Sequence, residues 1–182
     1  MKNVFLFLAE GFEEVEALTT VDLLRRAGIN LTMVSVTGSD IVNGAHGIIV
    51  RADTVIQKAD FTKTDMLILP GGSPGWKNIE ACTPLMEKVG EFAKAGKWVA
   101  AICGAPSILG RRGLLTGKNA CVYPGMEGEL RGAKANDKAV NVDGNIITSR
   151  GVGTAIDFSL AIIEQLVDIA TADKLAHAIV YK

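Results

Sequence analysis

Short apolar runs alternate with amphipathic segments along this chain, and the alternation predicts parallel strands joined by helices. Residues 4–8 are uniformly apolar, residues 13–27 form an amphipathic segment that ends at Gly28, and residues 31–35 are again mostly apolar. A short apolar run without polar alternation is typical of a strand buried on both faces of a sheet. The first 35 residues therefore predict a strand–helix–strand unit.

The same alternation continues to the end of the chain. Residues 66–69 and 98–102 predict two further buried strands, and residues 84–95 predict a helix. Another helix is predicted over residues 153–167, where four apolar positions recur at helical spacing: Ile156, Leu160, Ile163 and Val167.

Two turn signals predict β-hairpins. Asn43-Gly44 precedes a hairpin arm at residues 47–50, and Asp143-Gly144 lies between strands predicted at residues 139–142 and 145–148. Taken in order, the elements predict an α/β sandwich with a mostly parallel central sheet. A single domain is expected over residues 1–182.

Composition is that of an ordinary globular domain. The 182 residues are 48% hydrophobic and 21% charged, which suits one well-buried core. A formal net charge of −1 without a basic block argues against specific binding to nucleic acid or to an anionic membrane. The apolar stretches are too short to span a membrane, and residues 1–10 are too acidic at their end for a signal peptide, so a cytoplasmic location is expected.

The chain has three cysteines, Cys82, Cys103 and Cys121, which fit neither a disulfide framework nor a zinc site. No metal and no cofactor is expected. Cys103 directly follows the apolar run at residues 98–102 and precedes Gly104-Ala-Pro106, a sequence suited to the tight start of a helix. Strand, sharp turn and helix form a nucleophile elbow, where the helix N-terminus is expected to lower the pKa of a thiol. The alternative is a buried structural cysteine.

Four loops follow predicted strands and should meet at one edge of the sheet, where ligands of such folds bind. They comprise residues 9–14, 70–75, 103–106 and 149–153. Gly71 and Gly72 allow close approach of the backbone and predict an oxyanion site opposite Cys103, although plain turn chemistry also explains them. Neither glycine-rich segment has the lysine and hydroxyl spacing of a phosphate-binding loop.

Three acids open the first predicted helix: Glu13, Glu14 and Glu16. The helix dipole favours acids there, which accounts best for Glu13 and Glu14. Glu16 stands among apolar residues and can turn toward the ends of the strands. A partly buried carboxyl has a raised pKa, so a protonated Glu16 can donate to a nearby thiolate or exchange a proton with a substrate.

Four motifs together resemble the ThiJ/PfpI superfamily, and within it the DJ-one clade, over essentially the whole chain: Glu13-Glu-Val-Glu16, Leu69-Pro-Gly-Gly72, Ala100-Ala-Ile-Cys-Gly-Ala-Pro106 and Thr148-Ser-Arg-Gly-Val-Gly-Thr154. The resemblance implies a flavodoxin-like three-layer sandwich, a homodimer and a nucleophilic, oxidation-sensitive Cys103. It also implies that Glu16 contacts this cysteine. Gly72 and Gly104 match residues whose amides form the anion pocket, and Arg26 matches an arginine that helps line the partner subunit's site.

Two positions depart from the pattern of that clade. Tyr123 stands where many relatives have a histidine near the cysteine, and His46 stands where the clade often has an arginine. No Cys-His-Asp triad is therefore evident at the usual place, which argues against peptidase chemistry. His46 is a candidate replacement base, although a lone histidine in a turn is more often a surface group.

The resemblance leads to three functional hypotheses. The first is a glutathione-independent glyoxalase or deglycase that acts on methylglyoxal, glyoxal or their early protein and nucleotide adducts in carbonyl and oxidative stress. The second is a redox-sensing holdase chaperone that responds through oxidation of Cys103. The third, a role in thiazole monophosphate biosynthesis, rests on a family label alone.

Overall fold

The alternating pattern folds into strands and helices in the predicted order. A computed structural model describes residues 1–181, and helices there comprise α1 (Glu14–Arg26), α2 (Gly75–Ala81), α3 (Thr83–Lys94), α4 (Pro106–Arg111), α5 (Ala155–Leu166) and α6 (Ile169–Ala178). The strands in this part of the chain are β1 (Asn3–Leu8), β2 (Asn30–Ser35), β3 (Ile41–Asn43), β4 (Ile49–Arg51), β5 (Thr54–Val55), β6 (Met66–Leu69), β7 (Trp98–Ile102), β8 (Asn119–Ala120), β9 (Lys134–Ala135), β10 (Val140–Asp143) and β11 (Ile146–Ser149).

One seven-stranded sheet forms the middle layer, in the order β10-β11-β7-β6-β1-β2-β5. Its neighbouring strands run parallel except for β10, which pairs antiparallel with β11. β3 and β4 form a separate antiparallel hairpin, as the Asn43-Gly44 signal predicted. The predicted α/β fold with a mostly parallel sheet is confirmed.

The two faces of the sheet are buried in separate apolar cores. Successive residues of β1 alternate between them, because side chains of a strand point to opposite faces. Val4, Leu6 and Leu8 belong to the core shared with α1 and α5, whereas Phe5 and Phe7 belong to the core shared with α3 and α4. Helices therefore cover both faces, which makes the three layers of the sandwich.

The four apolar positions that recur along the predicted helix at residues 153–167 are not equally buried in the structure. Ile163 is buried, but Ile156 and Leu160 are only half-buried and Val167 is exposed just beyond the helix end. Phe158 and Leu166 are among the residues buried in their place. The reason is that α5 packs against α1 and α6 as well as the sheet, so more than one apolar stripe finds a partner.

Candidate active site around Cys103

Cys103 lies on a sharp elbow between a strand and a helix. β7 ends at Ile102, Cys103 has a φ of 65°, and α4 begins at Pro106. A positive φ is uncommon for a residue with a side chain and is retained where the surrounding contacts fix it. The Cys103 N–H donates to the Ser149 carbonyl (3.1 Å), and the Cys103 carbonyl accepts from the Tyr123 N–H (2.8 Å). Backbone bonds to two other segments thus hold the elbow.

Gly71 allows the residues around the thiol to approach one another. A Cβ at position 71 would lie 2.5 Å from Cys103 Cβ, 2.6 Å from Glu16 Oε2 and 2.9 Å from Cys103 Sγ. Real Cβ atoms are not found this close to other heavy atoms, so a glycine is required here. The close approach brings the loop after β6 directly against the elbow.

The backbone N–H groups of Gly72 and Gly104 lie near the Cys103 sulfur and act to lower the pKa of its thiol. Gly72 has a φ of 97°, in the region that favours glycine. Gly104 lies under Trp76, whose indole Cδ1 would be 2.6 Å from a Cβ at position 104. The structure therefore places the two predicted amides beside the thiol, where they can stabilise an anion.

Glu16 is completely buried next to this thiol. Its Oε2 accepts the Gly71 N–H at 2.9 Å, while its Oε1 is buried without a hydrogen-bond partner among the residues described. Burial raises the pKa of Glu16 to about 7, although the Cys103 thiol and the Gly71 N–H act in the opposite direction. At neutral pH the carboxyl is therefore close to half-protonated, a state suited to proton exchange.

The pKa of Cys103 is raised to about 12, first by burial and then by the charge and hydrogen bond of Glu16, against the lowering effect of the two amides. The expected lowering of this pKa by the elbow is wrong, because loss of solvent outweighs the donors. Thiol and carboxyl titrate as a pair, so one proton is shared above pH 7. A thiolate forms most readily when that proton moves to Glu16.

A cleft of about 740 Å³ opens above the thiol. Each of the four predicted loops contributes to its lining, with Glu13, Gly72, Gly104 and Gly151 as examples. Three wall residues were not among those predicted from the sequence: the aromatic Trp76, the cationic Lys77 and the apolar Met126. Arg150 comes from the predicted loop 149–153 and adds a second cation. For Trp76 the position directly after the Pro-Gly-Gly loop was an available signal. Tyr123 also lines the cleft.

His46 lies outside this cleft lining and its side chain is largely exposed. Its Nδ1 is 2.8 Å from Oε2 of the buried Glu14, and its backbone N–H donates to Oε1 of the same carboxylate at 2.7 Å. This hydrogen bond raises the pKa of His46. Glu13 completes a group of three potential metal ligands, but the short contact already pairs His46 with Glu14. The structure thus uses His46 to attach the β3–β4 hairpin to the start of α1.

Arg26 does not approach Cys103 of its own chain. It is the last residue of α1, whereas Glu16 lies in the first turn, and its Nε pairs with Asp22 at 2.7 Å on the surface. Any contribution of Arg26 to a thiol site must therefore be made to another subunit.

A strained cysteine on a strand–helix elbow, with backbone amides and a buried carboxyl around its sulfur, defines the class of α/β proteins with a cysteine nucleophile elbow. Within this class the chain belongs to the DJ-1/PfpI family, whose model matches residues 2–165. The predicted family resemblance is confirmed.

Comparison with individual proteins agrees with this membership. The chain is 38% identical to protein DJ-1 homolog A of Arabidopsis thaliana over its full length, but it spans only 47% of that protein. It is 30% identical to the glutathione-independent glyoxalase DJR-1.2 of Caenorhabditis elegans, covering 90% of this chain and 87% of that one. The crystal structure of a mutant of the DJ-1 superfamily protein STM1931 from Salmonella typhimurium superposes with a TM-score of 0.95 at 33% identity, covering both chains completely.

None of the helices within residues 1–181 is long and apolar enough to cross a membrane.

Proposed function

We propose that the chain is a cysteine-dependent glyoxalase or deglycase that acts on methylglyoxal, glyoxal or their early adducts. The observation that carries the proposal is the buried Glu16 carboxyl beside the Cys103 thiol, with the Gly72 and Gly104 amides directed at the same sulfur. A nucleophile, a proton carrier and an oxyanion site are the groups that carbonyl chemistry requires. The name of the Caenorhabditis elegans relative, a glutathione-independent glyoxalase, supports the same activity.

The proposed reaction begins with transfer of the Cys103 proton to Glu16. The thiolate sulfur then attacks the aldehyde carbon of methylglyoxal, and the former carbonyl oxygen takes the negative charge against the two amides. Glu16 returns its proton to this oxygen, which gives a hemithioacetal. Glu16 next removes the proton from the former aldehyde carbon and delivers it to the neighbouring carbonyl carbon. The hydroxyl proton of the hemithioacetal passes to the former ketone oxygen, which leaves a lactoyl thioester. Water hydrolyses the thioester to lactic acid and frees the thiol, so in sum methylglyoxal and water give lactic acid.

The test is a steady-state assay of lactate from methylglyoxal and glycolate from glyoxal. We expect turnover by the wild-type protein and loss of about a thousandfold or more in Cys103→Ser, because serine lacks an activated sulfur nucleophile. Cys82→Ser is the matched control, since Cys82 lies outside the cleft lining. Equal turnover in wild-type and Cys103→Ser proteins would overturn the proposal.

A second candidate function is a redox sensor with holdase activity. The observation that favours it is the same pair of amides, because two N–H donors can hold the oxygens of a Cys103 sulfinate. Mild peroxide separates the two functions: an enzyme loses lactate formation in proportion to Cys103 sulfinate measured by mass spectrometry, whereas a sensor acquires client protection at that step.

A homodimer in the cytoplasm belongs to the same proposal. Three exposed aliphatic side chains lie on neighbouring segments at the start of α1 and in the β3–β4 hairpin: Val15, Ile48 and Ile49. Their contact with a second copy would remove apolar surface from water. Such a dimer would also let Arg26 act on the partner subunit.

A further inference from the structure

Arg111, which no sequence motif singled out, makes ion pairs to two separate segments. It is the last residue of α4, the helix that begins just after Cys103. Its Nε and Nη2 donate to the two carboxylate oxygens of Glu80 at 3.0 and 2.7 Å, and its Nη1 donates to Glu129 at 2.9 Å. The Arg111 side chain is only 22% exposed, so these pairs are partly shielded from water. The guanidinium thus joins α2 to the segment that follows Tyr123.

The pair with Glu80 supports one wall of the cleft. Glu80 lies on α2 one turn after Trp76, and the Arg111 guanidinium carbon is 5.2 Å from the centre of the Trp76 ring. A cation at this distance from an indole is attracted to it. The Cδ1 and Nε1 atoms of the indole lie against Gly104, next to the thiol. Arg111 therefore contacts the Trp76 ring, which lines the cleft above Cys103.

The pair with Glu129 supports a second wall segment, which comes from a different part of the chain. Tyr123, Pro124 and Met126 line the cleft, and Glu129 follows them in the same segment. This segment packs closely on α4, because a Cβ at Gly110 would lie 2.7 Å from Leu130 Cα. Both walls are therefore attached to α4 at adjacent residues.

We propose that Arg111 is a positioning residue that sets the width of the cleft above Cys103 and so restricts the size of molecules that reach the thiol. A guanidinium serves both carboxylates at once, with a bidentate fork to Glu80 and a third N–H to Glu129. An ammonium cannot reproduce that geometry. Loss of the double pair separates the walls and admits larger reagents. The inference concerns access to the thiol and holds independently of which carbonyl compound the protein turns over.

The experiment measures alkylation of Cys103 by two reagents of the same chemistry and different size, iodoacetamide and a naphthyl-substituted iodoacetamide. Mass spectrometry of the Cys103 peptide gives both rate constants for the wild-type protein, Arg111→Met, Arg111→Lys and Arg112→Met. Arg112→Met is the matched control, because Arg112 is exposed and lies outside the cleft lining. Acrylamide quenching of tryptophan fluorescence follows the exposure of Trp76 in the same variants, each made in a Trp98→Phe background so that Trp76 is the emitting residue.

In Arg111→Met we expect the ratio of large-reagent to small-reagent rates to rise about fivefold, equivalent to about 1 kcal/mol of activation free energy. Quenching of Trp76 should increase in parallel. Arg111→Lys should give an intermediate ratio, and Arg112→Met the wild-type ratio. If Arg111→Met does not fold, Glu129→Gln keeps the Glu80 fork and should still raise the ratio. A wild-type ratio of alkylation rates in folded Arg111→Met, or in Glu129→Gln where Arg111→Met does not fold, would overturn the proposal.

Discussion

The carboxyl of Glu16 and the thiol of Cys103 hold a single proton between them over a wide range of pH. The pKa of Glu16 is raised to about 7 and that of Cys103 to about 12, in each case first by burial. The pair loses its first proton near neutrality, and the thiolate form belongs to the singly protonated state. Two predictions follow directly from this relationship.

The first prediction concerns the reactivity of the thiol. Alkylation of Cys103 by iodoacetamide should rise with pH up to about 7 and level off above it, because the reactive thiolate belongs to the state in which Glu16 holds the one remaining proton. In Glu16→Gln the levelling should disappear and the rate should keep rising by about tenfold per pH unit, because the Glu16 charge that raises the pKa of Cys103 is gone. Glu16→Ala should be slower than Glu16→Gln, since the amide of glutamine can still donate to a thiolate.

Mass spectrometry of the three cysteine peptides measures these rates. Among the three, Cys103 should show the levelling near pH 7, because Glu16 lies beside its thiol. The same levelling at Cys82 or Cys121, or identical pH profiles in all Glu16 variants, would contradict the prediction.

The second prediction concerns stability. The folded state raises the pKa of Glu16 from 4.5 to about 7, so it binds the proton more tightly than the unfolded chain does. The resulting stabilisation is full below pH 4.5 and is lost as the pH rises to 7. Relative to Glu16→Gln, the wild-type free energy of unfolding should fall by about 3 kcal/mol across this window. Urea unfolding of both proteins at a series of pH values measures this difference in the free energy of unfolding. If the difference does not change with pH, the pKa of Glu16 is not raised by folding.

The third prediction concerns Gly71. Gly71→Ala should lower the free energy of unfolding by about 2 kcal/mol, because the new methyl group would overlap Cys103 and Glu16. It should also slow alkylation of the thiol. Gly90→Ala is the matched control, because Gly90 lies within α3 and a methyl group at this position has no neighbouring atom to clash with. Since alanine favours a helix more than glycine does, this variant should be more stable than the wild type by roughly 1 kcal/mol. Equal stability of the two variants would refute the close packing at Gly71.

The fourth prediction concerns the contact between His46 and Glu14. The hydrogen bond to Glu14 raises the pKa of His46 above 6.5, so the stabilisation by this pair is present below pH 6.5 and is lost as the pH rises through the raised value. In Glu14→Gln the pKa of His46 should fall toward its ordinary value. An NMR titration of the His46 imidazole in the wild-type protein and in Glu14→Gln measures the two pKa values. The same pKa in both proteins would show that His46 and Glu14 are not hydrogen-bonded in solution.

The fifth prediction concerns assembly. Light scattering at micromolar concentration should report a dimer, and Ile49→Glu should shift it toward monomer by placing a charge on the exposed apolar surface. Val142→Glu is the matched control, because Val142 is also exposed but lies on the edge strand β10. A monomeric wild-type protein would remove the proposed role of Arg26 in a partner's site.

The pattern of apolar and polar residues was sufficient to predict the strands, helices and turns, because these depend on residues close together in the sequence. The strand at 98–102 has its predicted bounds, and the four loops meet at one edge as parallel topology requires. Contacts between residues far apart in the sequence could not be predicted from this pattern. Glu14 and His46 are 32 residues apart, and Arg111 and Glu80 are 31 apart. The pKa of Cys103 was predicted in the wrong direction because it depends on depth of burial, which the elbow motif does not specify.

The walls of the cleft and its thiol come from different parts of the chain. Cys103 and Glu16 are fixed by the sheet and by α1, whereas the wall residues are supplied by α2 and by loops that follow separate strands. Substitution of wall side chains, such as those of Tyr123 and Met126, keeps the backbone bond from Tyr123 to the elbow and therefore leaves the reacting groups where they are. Selection for a new substrate, in nature or in a directed-evolution library, can proceed one loop at a time without rebuilding the chemistry.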